Sequence, residues 1–146
     1  MIHETAIVNR KAKISENVEK IHNSISLLLE NLNLNMSDCF VMGFSQGGMM
    51  AFELGKILQK HLAGLAIISS RIISKEQKPN NAFLKTPIFI SHGAQDAVLP
   101  VSNYNESIEV LKKYNYNYEN HLIEKDEHTM SQETITFFQN FIKKNI

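Results

Sequence analysis

The sequence has few of the features that mark secreted, membrane-spanning or nucleic-acid-binding proteins. It holds a single cysteine, Cys39, so no internal disulfide can form, and every apolar run is shorter than a membrane span. Its 15 basic residues balance 15 acidic ones, with no basic block to attract nucleic acid or an anionic membrane. The first residues lack the pattern of a signal peptide. We therefore expect a cytoplasmic protein with no nucleic-acid partner and no stable membrane insertion.

The length indicates one domain, because 146 residues suit a single core. Near the N-terminus, Ile2, Val8 and Ile14 recur every six residues, as in hexapeptide-repeat proteins. The repeat then stops, which excludes a solenoid, since such turns need stacked neighbours to bury a core. We expect residues 1–14 to form a poorly ordered arm and residues 15–146 to form a single domain.

From Ser15 onward, predicted helices and strands alternate. Ser15 is a candidate N-cap, and six apolar residues at spacings of three and four predict one buried helix face: Val18, Ile21, Ile25, Leu28, Leu29 and Leu32. Strands are predicted over 39–44, 62–69, 87–91 and 116–124. Further helices are predicted over 46–60, 102–114 and 131–144. No hairpin turn joins the strands, so we expect an α/β fold with a parallel sheet of about four strands flanked by helices.

The stretch Gly43-Phe44-Ser45-Gln46-Gly47-Gly48 uses three of the chain's 6 glycines where a strand meets a helix. A sharp strand-to-helix turn brings the residues on either side of its centre so close that a side chain there would clash, which predicts the need for Gly43 and Gly47. Ser45 would then be exposed at a helix N-terminus, where the helix dipole favours negative charge. The Gln46 N–H would donate to an oxyanion. The alternative is a glycine-rich turn with an incidental serine.

A serine nucleophile needs a base, and the base needs a carboxylate to orient it. Asp96 follows the third predicted strand and His128 follows the fourth. The order serine, acid, histidine at successive strand ends is the order of the nucleophile-elbow hydrolases. Taken alone, Asp96 fits a turn and His128 fits a helix cap. No cluster has metal-ligand spacing, so neither a metal nor a cofactor is expected.

Two strings and the His128 segment resemble the phospholipase/carboxylesterase group of α/β hydrolases, which includes the acyl-protein thioesterases. The strings are GFSQGGMMAFELG, from Gly43, and SHGAQDAVLPV, from Ser91. The resemblance implies the C-terminal part of an α/β-hydrolase fold, with Ser45 as nucleophile, Asp96 as orienting acid and His128 as base. It also implies acyl ester or thioester substrates. One local departure is Glu127, which stands where the family usually has glycine and brings a carboxylate beside His128.

A larger departure is at the front of the fold. Members of this group begin with several strands and a His-Gly loop whose N–H is the second oxyanion donor, and this chain has no equivalent. We therefore expect an N-terminally truncated and weak enzyme. The strand 39–44 would lie at an open apolar edge, which predicts a homodimer or an N-terminal partner segment there.

The leading interpretation is a serine hydrolase of esters or thioesters. The residues Ile72, Ile73, Val98 and Leu99 follow strand ends and are candidates for an acyl-chain wall, with ordinary core packing as the alternative. Two rival functions stay open: an inactive remnant or partner-dependent binding module, and a peptidase of the same fold.

Overall fold

A four-stranded parallel sheet organises the chain. The computed structural model describes the backbone of residues 2–146 and the side chains of residues 10–146. The strands are β1 (Phe40–Phe44), β2 (Gly64–Ile68), β3 (Ile88–Gly93) and β4 (Tyr118–Ile123). They lie in that order across the sheet, and each neighbouring pair is parallel. The predicted α/β class and parallel sheet are confirmed.

Five α-helices accompany the described strands. They are α1 (Ile2–Leu32), α2 (Gln46–Ile57), α3 (Asn81–Lys85), α4 (Val101–Lys113) and α5 (Gln132–Lys144), with a short 3-10 turn at Met36–Asp38. Helices α2, α3 and α4 lie in the crossovers between successive strands. Each crossover carries the chain back to the end of the sheet where the previous strand began. All four strands therefore run in the same direction, and their carboxyl ends lie together.

The predicted start of the first helix at Ser15 was wrong. Helix α1 begins at Ile2 and continues without a break through Ser15. Residues 3–14 contain no glycine or proline and include the good helix formers Glu4, Ala6 and Ala12, so local propensity extends the helix where apolar periodicity is weak. Residues 1–14 were predicted to form a poorly ordered arm. Met1 and the side chains of residues 2–9 lie outside the described part of the chain, so the poor order of the arm stays a prediction.

The buried face of α1 is narrower than its apolar pattern predicts. Val18 and Leu29 are buried. Ile21 and Ile25 pack against the larger of the two clusters of buried apolar residues, which we call the main core. Leu28 and Leu32, predicted to be buried, are both more than half exposed. Because α1 packs mainly on α2, only the stripe that faces α2 leaves water.

Alternate residues of the central strands enter two different cores, as the pleat requires. One set joins the main core with residues of α1, α2 and α4, and the other packs under Phe141 of α5. The first set comprises Leu65, Ile67, Ile88 and Ile90, and the second comprises Ala66, Ile68 and Phe89. The sheet is therefore covered by several helices on one face and by α5 on the other.

Strand β1 lies at one edge of the sheet and pairs only with β2 among the described strands. Its side chains Met42 and Phe44 are 44% and 39% exposed. Helix α5 packs mainly over β3 and β4 and reaches β1 at Phe40, so this end of the sheet stays partly open on that face.

Across the helices that the structure describes, none combines the length and the apolar character that crossing a membrane requires.

Candidate active site

Ser45 lies at the junction of β1 and α2 in a strained backbone conformation. Its φ and ψ are 54° and −122°, a region that side-chain-bearing residues rarely occupy. The Ser45 N–H donates to the Ile68 carbonyl at 2.9 Å, and the Ser45 carbonyl accepts the Gly48 N–H at 3.0 Å. The surrounding backbone thus holds the sharp turn that the glycine pattern predicts.

The glycines around Ser45 differ in what they make possible. A Cβ on Gly43 would lie 2.1 Å from the Gly47 carbonyl oxygen, so the close approach predicted for Gly43 is present. A Cβ on Gly48 would lie 2.5 Å from the Cβ of Ser70. A Cβ on Gly47 would meet nothing within 4 Å. The steric need therefore falls on Gly43 and Gly48, and the prediction for Gly47 was wrong because its Cα faces open space.

Three side chains from three strand ends form a continuous hydrogen-bonded line. The His128 Nε2 lies 3.0 Å from the Ser45 Oγ, and the His128 Nδ1 lies 2.7 Å from the Asp96 Oδ2. The Asp96 carboxylate is fully buried, whereas the imidazole is 16% exposed. In this geometry one imidazole nitrogen faces a hydroxyl and the other faces a carboxylate, the arrangement that activates a serine.

The loop after β3 holds Asp96 in place. Its Oδ1 accepts the backbone N–H groups of Val98 and Leu99 at 2.9 and 2.7 Å. Burial acts to raise the pKa of the Asp96 carboxyl, but the Leu99 N–H and the His128 imidazole outweigh it and hold the pKa below its ordinary value. The buried His92 reinforces the loop, because its Nε2 lies 2.8 Å from the Leu99 carbonyl oxygen, which can only accept. Asp96 is therefore held ionised and correctly aimed.

The loop that carries His128 packs closely on the end of β3. A Cβ on Gly93 would lie 2.3 Å from the carbonyl oxygens of Asp126 and Glu127, so only glycine permits this contact. On another side, the Phe44 ring lies 5.0 Å from the imidazole, centroid to centroid. The Glu127 side chain is exposed. The two imidazole nitrogens of His128 are already occupied, Nδ1 by Asp96 and Nε2 by Ser45. Glu127 therefore does not replace Asp96 as the partner of His128.

Gln46 is the first residue of α2, where backbone N–H groups have no partner within the helix. This position places its N–H next to Ser45 at the positive end of the helix dipole.

The four residues predicted to line an acyl site have different environments. Ile72 has no exposed surface and belongs to the main core, which excludes it from an open groove, because its N–H and side chain are both held inside by α4. Ile73 and Leu99 are half-buried, and Val98 is 71% exposed. Only these last three can face a substrate.

Two serines at the end of β2 contact the site, and sequence reasoning missed them. Ser69 donates from Oγ to the Thr129 carbonyl at 3.2 Å, and Ser70 donates from Oγ to the Ser45 carbonyl. Their position in the sequence could have indicated them. A Ser-Ser pair follows directly on a wholly apolar strand, at the carboxyl end of the sheet where Ser45, Asp96 and His128 also lie.

Within residues 10–146, no group of three or more His, Cys, Asp or Glu side chains is arranged to hold a metal ion.

Comparison with known proteins matches a family model described as Phospholipase/Carboxylesterase to residues 2–146. The chain belongs to the phospholipase/carboxylesterase family. The resemblance read from the motifs is thereby confirmed, and the match also includes residues 2–14, which the motifs did not cover.

Relatives of this phospholipase/carboxylesterase family member include proteins of differing description. Acyl-protein thioesterase 1 of Debaryomyces hansenii is 27% identical over 128 residues, covering 85% of this chain and 55% of that protein. A probable inactive carboxylesterase of Oryza sativa is 22% identical over 149 residues, covering 98% of this chain and 61% of that protein. The crystal structure of Arabidopsis thaliana SOBER1 has a TM-score of 0.82 at 24% identity, covering 90% of this chain and 64% of that one.

The chain of this family member thus spans between about half and two thirds of the length of these relatives. The likeness to SOBER1 supports the fold.

Proposed function

We propose that this chain is a serine hydrolase that cleaves carboxylic esters or thioesters through an acyl-enzyme. One observation carries the proposal: the unbroken line from the Ser45 Oγ through both nitrogens of His128 to the buried Asp96. Membership of a phospholipase/carboxylesterase family and likeness to acyl-protein thioesterases support the same chemistry.

In the proposed reaction, the Ser45 Oγ attacks the acyl carbonyl carbon while the His128 Nε2 takes the hydroxyl proton. The tetrahedral intermediate collapses when His128 returns that proton to the leaving alcohol or thiol. Water, deprotonated by the same nitrogen, then attacks the acyl carbon of the acyl-enzyme. The bond from that carbon to the Ser45 Oγ breaks, His128 returns the proton to the Oγ, and the acid is released. Asp96 keeps the Nδ1 proton on His128 and stabilises the imidazolium that forms. No cofactor is needed for these steps.

In the proposed mechanism the oxyanion of the tetrahedral intermediate needs hydrogen-bond donors. We assign it one donor, the Gln46 N–H at the start of α2. Loss of one of two oxyanion donors typically slows such a reaction by about 10²–10³-fold. We propose that the acyl chain lies against Ile73, Val98 and Leu99.

The second candidate is an inactive member of the family that serves as a binding module. The specific observation in its favour is that the rice protein matching 98% of this chain is described as probably inactive.

A fluorophosphonate probe, which reacts with activated serines, separates the two candidates. We expect labelling of the wild-type protein and none of Ser45→Ala. Ser37→Ala is the matched control, because Ser37 is exposed and precedes β1 at the opposite end of the sheet. An unlabelled but folded wild-type protein would reject the hydrolase in favour of the binding module.

Turnover of p-nitrophenyl butyrate, an acyl thioester and a peptide amide then ranks the substrate classes. We expect the two activated acyl substrates to be hydrolysed and the amide to be spared; faster cleavage of the amide would indicate a peptidase.

A further inference from the structure

Strand β2 contributes none of the three side chains of the proposed active site, yet its end touches the segments that carry two of them. Ser69 and Ser70 follow directly on Ile68, the last residue of β2. Both are only 1% exposed. Their hydroxyls point to opposite neighbours, one toward the His128 loop and the other toward the Ser45 turn.

Ser69 connects β2 and β3 to the histidine loop. Its N–H donates to the Ser91 carbonyl at 2.9 Å, which extends the sheet by one bond, and its Oγ donates to the Thr129 carbonyl at 3.2 Å. Thr129 is the residue after His128. The φ of Ser69 is 48°, in the left-handed region, so the chain turns sharply here and separates the directions of the two serine side chains.

Ser70 supports the strained turn from beneath. Its hydroxyl donates to the carbonyl of Ser45, and its Cβ packs against Gly48 with no room for a further atom. The Ser45 N–H donates to the carbonyl of Ile68, so two residues of one short segment, Ile68 and Ser70, bind both polar backbone groups of Ser45. A backbone at φ 54° persists only where its surroundings fix it in this way.

We propose that Ser69 and Ser70 are positioning residues that set the separation of the Ser45 Oγ and the His128 Nε2. Neither hydroxyl touches the reacting atoms, and each acts through a backbone carbonyl of the segment that carries one of them. This inference rests on the proposed hydrolase function. It assigns a role to the one strand of the sheet that provides no member of the reacting line.

The test uses Ser69→Ala and Ser70→Ala, singly and together, in the full chain. Displacement of reacting groups by about 1 Å costs on the order of 10²-fold in rate, so we expect about a 10-fold loss of kcat for each single variant and about 10²-fold for the pair. KM should stay unchanged, because the acyl contacts are untouched.

Ser107→Ala is the matched control. Ser107 is also 1% exposed, and its hydroxyl accepts the Ile72 N–H and donates to the Asn103 carbonyl, away from the reacting line. It should lower the thermal midpoint as much as the other single variants while leaving kcat unchanged. Equal effects of all three single variants on kcat would overturn the proposal, and the single variants carry the test if the double variant does not fold.

Crystal structures of the wild type and the double variant separate this inference from the proposed function. We expect the distance from Nε2 to Oγ to lengthen beyond hydrogen-bond range in the variant, whether or not the wild type reacts with the probe. A lengthened distance in a protein that the probe does not label would retain the positioning role and reject the hydrolase. An unchanged distance would overturn the positioning role even in an active enzyme.

Discussion

The two edge strands of the sheet lead to two of the three hydrogen-bonded side chains of the candidate site, β1 to Ser45 and β4 to His128. Only β4 is protected from pairing with another chain. On β4, Glu119 binds the Nε2 of His121 at 2.9 Å and the Nζ of Lys144 at 2.7 Å, and the imidazole of His121 stacks on Phe137 at 4.0 Å. Strand β1 has no charged residue from Phe40 to Phe44 and exposes Met42 and Phe44. Edge strands that lack charge and cover are the ones that pair with other chains.

The difference shows that the two sides of the candidate site are supported unequally. The side of His128 is held within this chain by α5, Gly93 and the Asp96 loop. Among the described residues, the side of Ser45 is held by the end of β2 and the first turn of α2, and the outer edge of β1 has no partner strand. The predictions below test this contrast, from the largest expected effect to the smallest.

Asp96→Asn should have the largest effect, because it removes the acceptor of the Nδ1 proton and favours the wrong imidazole tautomer. We expect the rate of probe labelling to fall by about 10⁴-fold with little change in fold. Asp38→Asn, on an exposed residue near the start of β1, is the control. A fall in the labelling rate of less than 10-fold would show that the contact between Asp96 and His128 does not control the reactivity of Ser45.

Gly43→Ala should have the next largest effect, on the Ser45 side. The added Cβ would lie 2.1 Å from the Gly47 carbonyl oxygen, and we expect it to lower the free energy of unfolding by about 4 kcal/mol or more. Gly47→Ala is the matched control, since its Cβ enters open space and favours the helix. Urea unfolding measures both, and similar values for the two would contradict the close approach at Gly43.

Met42→Lys should change association. We expect the wild-type chain to form dimers through β1 as concentration rises, and a charge on that edge to restore the monomer. Leu122→Lys is the matched control, because Leu122 is 47% exposed on the opposite edge strand. Chromatography with light scattering tests the contrast, which fails if the wild type stays monomeric or if both variants behave alike.

Glu119→Gln should have the smallest effect. Burial acts to raise the pKa of the Glu119 carboxyl, but Lys144 and His121 outweigh it and hold the pKa below its ordinary value. A depressed pKa contributes stability above the unfolded pKa, about 4.3, and loses it as the pH falls through the folded pKa. We expect the variant to be less stable than the wild type by about 0.5 kcal/mol at pH 7.

At a pH below the folded pKa of Glu119 the two proteins should be equally stable. Chemical unfolding at both pH values measures the change, and a difference that persists in acid would assign it to packing.

Much of the fold was predictable because two patterns in the sequence agree with the structure: the apolar segments and their alternation with helices. The apolar segments around Ile67 and Ile90 lie within the central strands β2 and β3, and the alternation with helices predicts their parallel pairing. The start of α1 was not predictable from periodicity, since propensity carries the helix to Ile2. The exposure of Leu28 depends on which helix α1 packs against, which one sequence does not reveal.

The site was predictable where a motif names a position and not where a contact comes from elsewhere in the chain. Ser45, Asp96 and His128 follow strand ends in a required order, so their meeting could be predicted. Gly48 is needed because of Ser70, a residue outside the motif, and so the steric need was assigned to Gly47 instead. Contacts of this kind need coordinates.

The Phe44 ring has one further consequence, which concerns inhibitors. It stands 5.0 Å from the imidazole of His128 and is still 39% open to solvent. An electrophile aimed at Ser45 could therefore carry a flat aromatic leaving group that stacks on this ring as it departs. A compound of that shape would keep its leaving group against the protein while the bond to the Ser45 Oγ forms.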